Sequence, residues 1–227
     1  MNIQIAITED GSHTLYNKTL GEHYHSTYGA IQESQHIFIQ AGLNALENKS
    51  DSINILEIGF GTGLNALLTY QEAKSKDYKI NYIAIEPILL DKSIYLQLNY
   101  ADLLNNKDLQ DIFIKMHEIP CNVPYFISEI FILNKIKEEL QEIELTENSF
   151  DLVYFDAFSP EIQPELWEPK IFEAIYASMK NNAILTTYSA KGAVKRALKS
   201  AGFEVENLAG PIGKRQITRA KKLLAYL

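Results

Sequence analysis

The chain has 227 residues, enough for one α/β domain with a small addition, and 46% are hydrophobic, as in ordinary globular proteins. No apolar run approaches the ~18 residues of a membrane span, and the start, Met1-Asn2-Ile3-Gln4-Ile5, lacks the basic segment of a secretory signal; a cytoplasmic protein with no membrane contact is expected. Cys121 stands alone, which excludes a disulfide framework or a thiolate zinc site, and the net charge of −8 argues at first against a nucleic-acid partner.

Residues 3–8 and 13–16 are strand-like runs around Asp10-Gly11, a hairpin turn signal. A polar, aromatic stretch (Glu22-His23-Tyr24-His25-Ser26-Thr27-Tyr28) leads to a helical pattern over 30–46, with Ile31, Ser34, Ile37, Phe38 and Ala41 along one face. Then come a strand at 53–58, a helix at 62–75, a strand at 80–86 and a helix at 88–99 that Pro87 would open. Residues 100–124 predict a short helix with a loop around Pro120 and Pro124. A strand at 125–134 and a short helix at 135–143 follow. Residues 150–155 read as a buried strand, 169–179 as a helix, 183–188 as a strand, 190–200 as a helix, 203–208 as a strand and 220–227 as a final strand.

Alternating strands and helices predict an α/β fold with a Rossmann-like, doubly wound, mostly parallel sheet. The expected organisation is an N-terminal hairpin and helix extension, 1–50, packed on a domain of 51–227 as one structural unit. There is no internal repeat or low-complexity segment.

Residues 55–65 read Ile-Leu-Glu-Ile-Gly-Phe-Gly-Thr-Gly-Leu-Asn. A strand that breaks into glycines and then a helix is a nucleotide-cofactor site, because glycine permits positive φ and close approach of a ligand to the main chain. The spacing is G-x-G-x-G rather than the G-x-G-x-x-G of a pyrophosphate cradle, and Glu57 precedes it by two residues. That acid would repel a pyrophosphate and suits a cofactor with a cationic amino group, such as S-adenosylmethionine. Glu86 ends the next apolar run, 23 residues after Gly63, where a carboxylate can accept both ribose hydroxyls. A nicotinamide or flavin dinucleotide and a turn used only for packing remain as alternatives.

Asp156-Ala157-Phe158-Ser159-Pro160 follows the strand at 150–155 directly. Ligands in doubly wound sheets sit at the carboxyl ends of strands, and Glu57, Glu86, Asp156 and Tyr188-Ser189 all fall at or near such ends. Methyl transfer from a sulfonium needs a lone pair aligned with the S–CH3 bond. Asp156 can accept an amine N–H and aim that lone pair, and can also take the proton. Phe158 can stack on a base or on adenine. Asp156 as a plain turn anchor is the competing view. His13, His23, His25, His36 and His117 show no ligand spacing, so no metal is expected. His25, beside Tyr24, is more readily a packing residue than a site residue, and Trp167 a packing one.

The charge is unevenly spread. Residues 186–227 hold nine Lys or Arg and only two acids, Glu204 and Glu206, whereas residues 1–185 carry a net charge of −15. A basic lobe on an acidic body can steer a polyanion to one face, although a solvated lysine-rich helix gives the same count.

Several segments together carry a family resemblance. They are Thr8-Glu-Asp-Gly-Ser-His-Thr-Leu15, Glu22-His-Tyr-His-Ser-Thr-Tyr-Gly-Ala-Ile-Gln-Glu33 with His36-Ile-Phe38, and Glu57-Ile-Gly-Phe-Gly-Thr-Gly-Leu-Asn65. Asp156-Ala-Phe-Ser-Pro160 with Trp167, Thr187-Tyr-Ser-Ala-Lys-Gly-Ala-Val-Lys-Arg196 and Gly210-Pro-Ile-Gly-Lys-Arg215 complete the set. Over nearly its whole length the chain resembles the MnmC-type methyltransferase family, whose stand-alone members are called MnmD. The resemblance implies a class I S-adenosylmethionine-dependent fold. It also implies methylation, without a metal, of the 5-aminomethyl group on a tRNA wobble uridine, often 2-thiolated, giving methylaminomethyluridine. The fused oxidase domain of larger members has no room here, so separate enzymes would supply the aminomethyl substrate.

The resemblance also implies roles. Glu57, Gly59, Phe60, Gly61, Thr62, Gly63, Asn65 and Glu86 match the cofactor motif, and Asp156 matches the acid beside the substrate amine. Tyr24 and Ser26 match an N-terminal segment that forms part of the active-site wall, and Phe158 remains a candidate substrate contact through stacking. Lys191, Lys195, Arg196, Lys214 and Arg215 match a basic region facing tRNA phosphates near the anticodon. Family members often carry Gly-Asp after the third strand, where the acid contacts adenine; this chain reads Asn134-Lys135 there. Either Asn134 takes that role or the correspondence lies elsewhere. Three other activities stay open: a methyltransferase or polyamine-synthase-like transferase of a small amine, a non-catalytic cofactor-binding module, and an NAD-dependent oxidoreductase.

Overall fold

The computed structural model describes residues 2–47 and 52–224, so the expected boundary at 50/51 lies outside the described residues. The chain opens with an antiparallel sheet of β1 (Ile3–Ile7), β2 (His13–Asn17) and β3 (Glu22–His23). The turn between β1 and β2 caps the next helix, α1 (Ala30–Ser34). Ser12 Oγ accepts from the Ala30 and Ile31 N–H groups at 3.0 and 3.2 Å, and Asp10 Oδ2 accepts from Gln32 at 3.0 Å. These donors have no partner within a helix's first turn, so a distant hairpin satisfies them.

The single helix expected over 30–46 is broken. After α1 the chain widens into a π-helical stretch, Gln35–Gln40, and closes with a 3-10 turn at Leu43–Ala45. Gly42 sits at this break, where a Cβ would clash with the Phe38 carbonyl oxygen.

The main sheet starts with β4 (Ser52–Ile58), followed by α2 (Leu64–Lys76) and β5 (Lys79–Ile85). The helix expected at 88–99 shrinks to α3 (Lys92–Tyr95). Glu86 Oε1 captures the Ile88 N–H at 3.0 Å and turns the chain there, while Asn99 is spent on the hairpin, accepting from His13 N–H and donating to the Gly11 carbonyl. Two further helices occupy 100–124: α4 (Tyr100–Leu103) and α5 (Asp108–Glu118). Leu109, Phe113 and Met116 give α5 its buried face.

Residues 125–134 are two strands instead of one, β6 (Tyr125–Ser128) and β7 (Phe131–Ile136), antiparallel to each other. The helix expected at 135–143 is a 3-10 turn at Leu140–Glu142. The remaining elements are β8 (Phe150–Phe155), α6 (Pro169–Ser178), β9 (Met179–Thr187), α7 (Gly192–Ser200), β10 (Glu204–Ala209) and β11 (Gln216–Lys221). The final strand therefore begins before the expected 220–227, of which 225–227 lie outside the described residues.

The strand order is β10-β11-β9-β8-β4-β5-β7-β6. The five central strands, β9, β8, β4, β5 and β7, pair in parallel; β6, β11 and β10 add antiparallel edges. Alternate residues feed opposite faces. Ile55, Leu152, Tyr154 and Ile184 face the core shared with α2, α5 and the N-terminal residues Leu15, Ile37 and Phe38. Leu56, Val153, Phe155 and Leu185 face the core under α6 and α7. Both faces are covered, so the central strands are mostly apolar, as parallel strands usually are, with Glu57 of β4 and Lys135 of β7 as buried charged exceptions. Chain order reverses between β4 and β8, which opens a crevice at their carboxyl ends.

Candidate active site

A cavity of about 770 Å³ lies over that crevice, within the ~300–1,000 Å³ range of ligand pockets. Its floor is stitched by main-chain bonds: Gly59 N–H donates to Ile85 O at 3.0 Å, and Asp156 N–H to Ile58 O at 2.9 Å. Gly59 takes φ +90°, and a Cβ there would lie 2.6 Å from the Asp156 carbonyl oxygen. Its smallness therefore serves the junction of β4 with β8. Gly61, at φ +50°, passes beneath Tyr24, whose ring a Cβ would meet at 3.3 Å.

Glu86, at the end of β5, binds the loop directly. Its Oε2 accepts from Gly61 N–H and its Oε1 from Ile88 N–H, each at 3.0 Å. Burial raises its pKa, and those two N–H groups pull the other way. Each oxygen keeps a lone pair, so the carboxylate can still accept ligand hydroxyls.

Glu57 does not line the cavity. It is fully buried beneath it, with one oxygen bonded to Asn65 Nδ2 at 3.0 Å. Asn65 Nδ2 also donates to Asp156 Oδ2 at 2.8 Å. The expected direct contact of Glu57 with a cofactor is thus corrected: Asn65 stands between, its amide bridging two carboxylates. Burial, then the charge of Asp156, raises the Glu57 pKa well above the usual range.

Asp156 faces the cavity. Desolvation raises its pKa to about 7, the Asn65 hydrogen bond opposes this, Glu33 adds to it and Lys214 subtracts. A carboxyl poised near neutrality inside a cleft has the proton affinity of a general base.

Tyr24 and Phe158 both line the cavity. Tyr24 meets Phe158 edge to face, with ring centroids 5.0 Å apart. Trp167 holds that loop by donating from Nε1 to Phe158 O at 2.8 Å. Ser26 also lines the cavity, its Oγ accepting from Tyr28 N–H at 3.2 Å.

Two histidines brace the glycine loop. His25 Nε2 lies 3.4 Å from Thr62 Oγ1, and His117 Nε2 lies 3.1 Å from Thr62 O. Burial pushes their pKa values down to about 4 and about 3, so both are neutral near pH 7. Phe60 packs edge-on against His117. Gly63 caps α2 without lining the cavity.

The basic residues divide. Lys214 lines the cavity, 3.1 Å from Glu33 Oε1 and 4.9 Å from the Tyr188 ring. Lys191 pairs with Glu161, and Lys195 donates to Asn207 Oδ1 at 2.9 Å. Arg196 and Arg215 are exposed. None of these four borders the cavity.

Asn134 and Lys135 lie within β7, short of its carboxyl end, and neither lines the cavity. Lys135 is buried and donates to His117 O at 2.5 Å. The residues past β7 that line the cavity are Glu139 and Leu140. Glu33, quoted in the sequence only as part of the Glu22–Glu33 segment, and His25, read there as a packing residue, also line the cavity. Glu33 closes the segment Glu22–Glu33, but its role depends on a partner near the other end of the chain.

A family model for S-adenosyl-L-methionine-dependent methyltransferases matches residues 99–223, over half of the chain. The chain belongs to that family of methyltransferases. Among its relatives, the tRNA 5-methylaminomethyl-2-thiouridine biosynthesis bifunctional protein MnmC of Aromatoleum aromaticum is 28% identical over 96% of this chain and 35% of its own length. The MnmC of Ralstonia nicotianae is 31% identical over 87% of this chain and 31% of its own length. This chain spans about a third of these relatives. The crystal structure of MNMC2 from Aquifex aeolicus superposes with a TM-score of 0.78 at 28% identity, covering 96% of this chain and 70% of that one. These likenesses match the resemblance read from the motifs.

The donor set fits S-adenosylmethionine. Glu86 offers lone pairs for a diol, Gly61 lets the Tyr24 ring close over the loop, and the N-terminus of α2, with Leu64 and Asn65 at the cavity, suits a carboxylate.

Proposed function

We propose that this chain methylates the amino nitrogen of a 5-aminomethyluridine, 2-thiolated or not, at the wobble position in the anticodon of tRNA. The observation that carries this reading is Asp156, poised near neutral pH at the cavity between the glycine loop and the Tyr24–Phe158 wall. The name of the MnmC relatives, which concerns 5-methylaminomethyl-2-thiouridine, supports the choice of amine.

In this reading S-adenosylmethionine, when bound, supplies an electrophilic methyl group on sulfur. Glu86 holds the ribose hydroxyls, with Gly59, Phe60, Gly61 and Thr62 as the cradle and Gly63 starting the helix behind it. Tyr24, Ser26 and Phe158 hold the uracil. Asp156 accepts an amine N–H, which aims the nitrogen lone pair, and takes the proton that nitrogen must lose. Residues 1–50 act as an extension that completes the pocket of the 51–227 domain. Lys191, Lys195, Arg196 and Arg215 meet tRNA phosphates. No metal takes part, a prior reaction supplies the aminomethyl group, and a tRNA substrate places the work in the cytoplasm.

A small-molecule amine is the rival substrate, and salt dependence separates the two. Contact with several phosphates predicts that log K for tRNA falls linearly with log salt, with a slope of about −0.7 to −0.9 per phosphate contacted. Arg196→Glu with Arg215→Glu should flatten that slope and leave cofactor affinity unchanged. A flat wild-type slope would favour the small amine.

A further inference from the structure

Asn65, which closes the glycine motif, spends its side-chain amide inside the protein. It is the second residue of α2 and only 4% exposed. Its Nδ2 carries two hydrogens. One goes to Glu57 Oε1 at 3.0 Å and the other to Asp156 Oδ2 at 2.8 Å. Its Oδ1 is enclosed and takes no hydrogen bond. The amide therefore keeps no donor and no open acceptor for a cofactor. A flipped amide would set Oδ1 against the Asp156 carboxylate and leave Nδ2 enclosed without an acceptor, so its orientation is fixed. Both ends of the bridge are anchored. Thr69 Oγ1 donates to the Asn65 carbonyl at 2.7 Å, and Asp156 N–H donates to Ile58 O at 2.9 Å.

We propose that Asn65 is the positioning residue of Asp156: it holds Oδ2, so that Oδ1 is left for the N–H of the substrate amine, while Glu57 below holds Asn65. Among the described residues no other side chain donates to the Asp156 carboxyl group. Oδ1 is then the oxygen to which the proton passes; the N–H bond breaks and an O–H bond forms there as nitrogen gains its methyl group. A neutral amide suits this task. It orients the carboxylate without the full positive charge that would strip it of basicity. The same chain explains why Glu57 lies beneath the cavity and not in it: what it holds is Asn65.

This inference rests on the amine reading above, and two of its readouts need no tRNA. Asn65→Leu fills similar space without a donor. Calorimetry with S-adenosylmethionine should give an unchanged Kd. With aminomethyl-tRNA, kcat should fall about 10²-fold at unchanged KM, the loss expected of a misplaced reacting group. In the full chain labelled with ¹³C-aspartate, with Asp156→Asn assigning the signal, the NMR midpoint of Asp156 should rise by about one pH unit, because its charged form loses a donor. The other ionisable groups acting on Asp156 stay in place: Glu33 on α1, Glu57 on β4, Tyr82 on β5, Tyr188 beyond β9 and Lys214 between β10 and β11. Glu57→Gln, which still offers an oxygen to Asn65, should turn over faster than Glu57→Met.

If Asn65→Leu does not fold, Asn65→Leu with Glu57→Met leaves no buried acid orphaned and should show the same loss of kcat at unchanged Kd. A Kd that weakens as far as kcat falls would return Asn65 to the cofactor and overturn the proposal. An Asp156 midpoint that stays in place in folded Asn65→Leu would overturn it as well. A wild type inactive on aminomethyl-tRNA, whose midpoint still rises on Asn65→Leu, would keep the hold on Asp156 and discard the substrate.

Discussion

Asp156 is held in a place that suits chemistry better than stability. Its folded pKa of about 7 lies above the ordinary 3.8, with burial as the main cause. Folding therefore favours the protonated acid. That stabilisation is complete below about pH 3.8 and is lost as pH rises through about 7. Asp156→Asn, neutral at every pH, should gain in Tm over the wild type between those limits and hold the gain above them. Calorimetry at several pH values checks this, and a pH-independent difference would contradict it. The same variant should keep cofactor affinity and lose about 10²- to 10⁴-fold in turnover. Equal loss of binding and turnover would move Asp156 into the cofactor site.

The junction of β4 with β8 is where local sequence and fold agree most closely. The glycine loop was legible because a strand, a turn and a helix lie within one short window, and the chemistry of each follows from residue type. Gly59→Ala should cost about 1–3 kcal/mol, from a positive-φ conformation and a Cβ 2.6 Å from the Asp156 carbonyl. Chemical denaturation would register the loss, with weaker cofactor binding beside it, and a wild-type midpoint would refute the packing account. Other elements were less legible because their cause is distant or quiet. The β6–β7 reversal has no glycine or proline; Ser128 Oγ accepts from Ile130 N–H at 3.3 Å and makes the turn. The helix expected at 88–99 loses its ends to Glu86 and to the hairpin, contacts that no local pattern announces. Apolar runs alternating with helical segments did predict the sheet and its covering helices. The depth of Glu57, the withdrawal of Asn134 and the Glu33–Lys214 pair all depend on tertiary placement.

At the scale of the molecule, both ends of the chain close over one cavity at the switch point of the sheet. Loop 24–28 and the loop carrying Lys214 enclose Asp156, and the exposed arginines, Arg196 and Arg215, stand outside it. Among the described residues no helix is long and apolar enough to cross a membrane. This arrangement suits a buried reaction centre served by an outer basic surface, with the acidic body repelling polyanions from the rest. The most direct test is transfer of labelled methyl from S-adenosylmethionine to tRNA carrying an aminomethyl wobble uridine, followed by nucleoside analysis. The account predicts label in methylaminomethyluridine, lost with Asp156→Asn. No label in tRNA from a protein shown to bind the cofactor would contradict it.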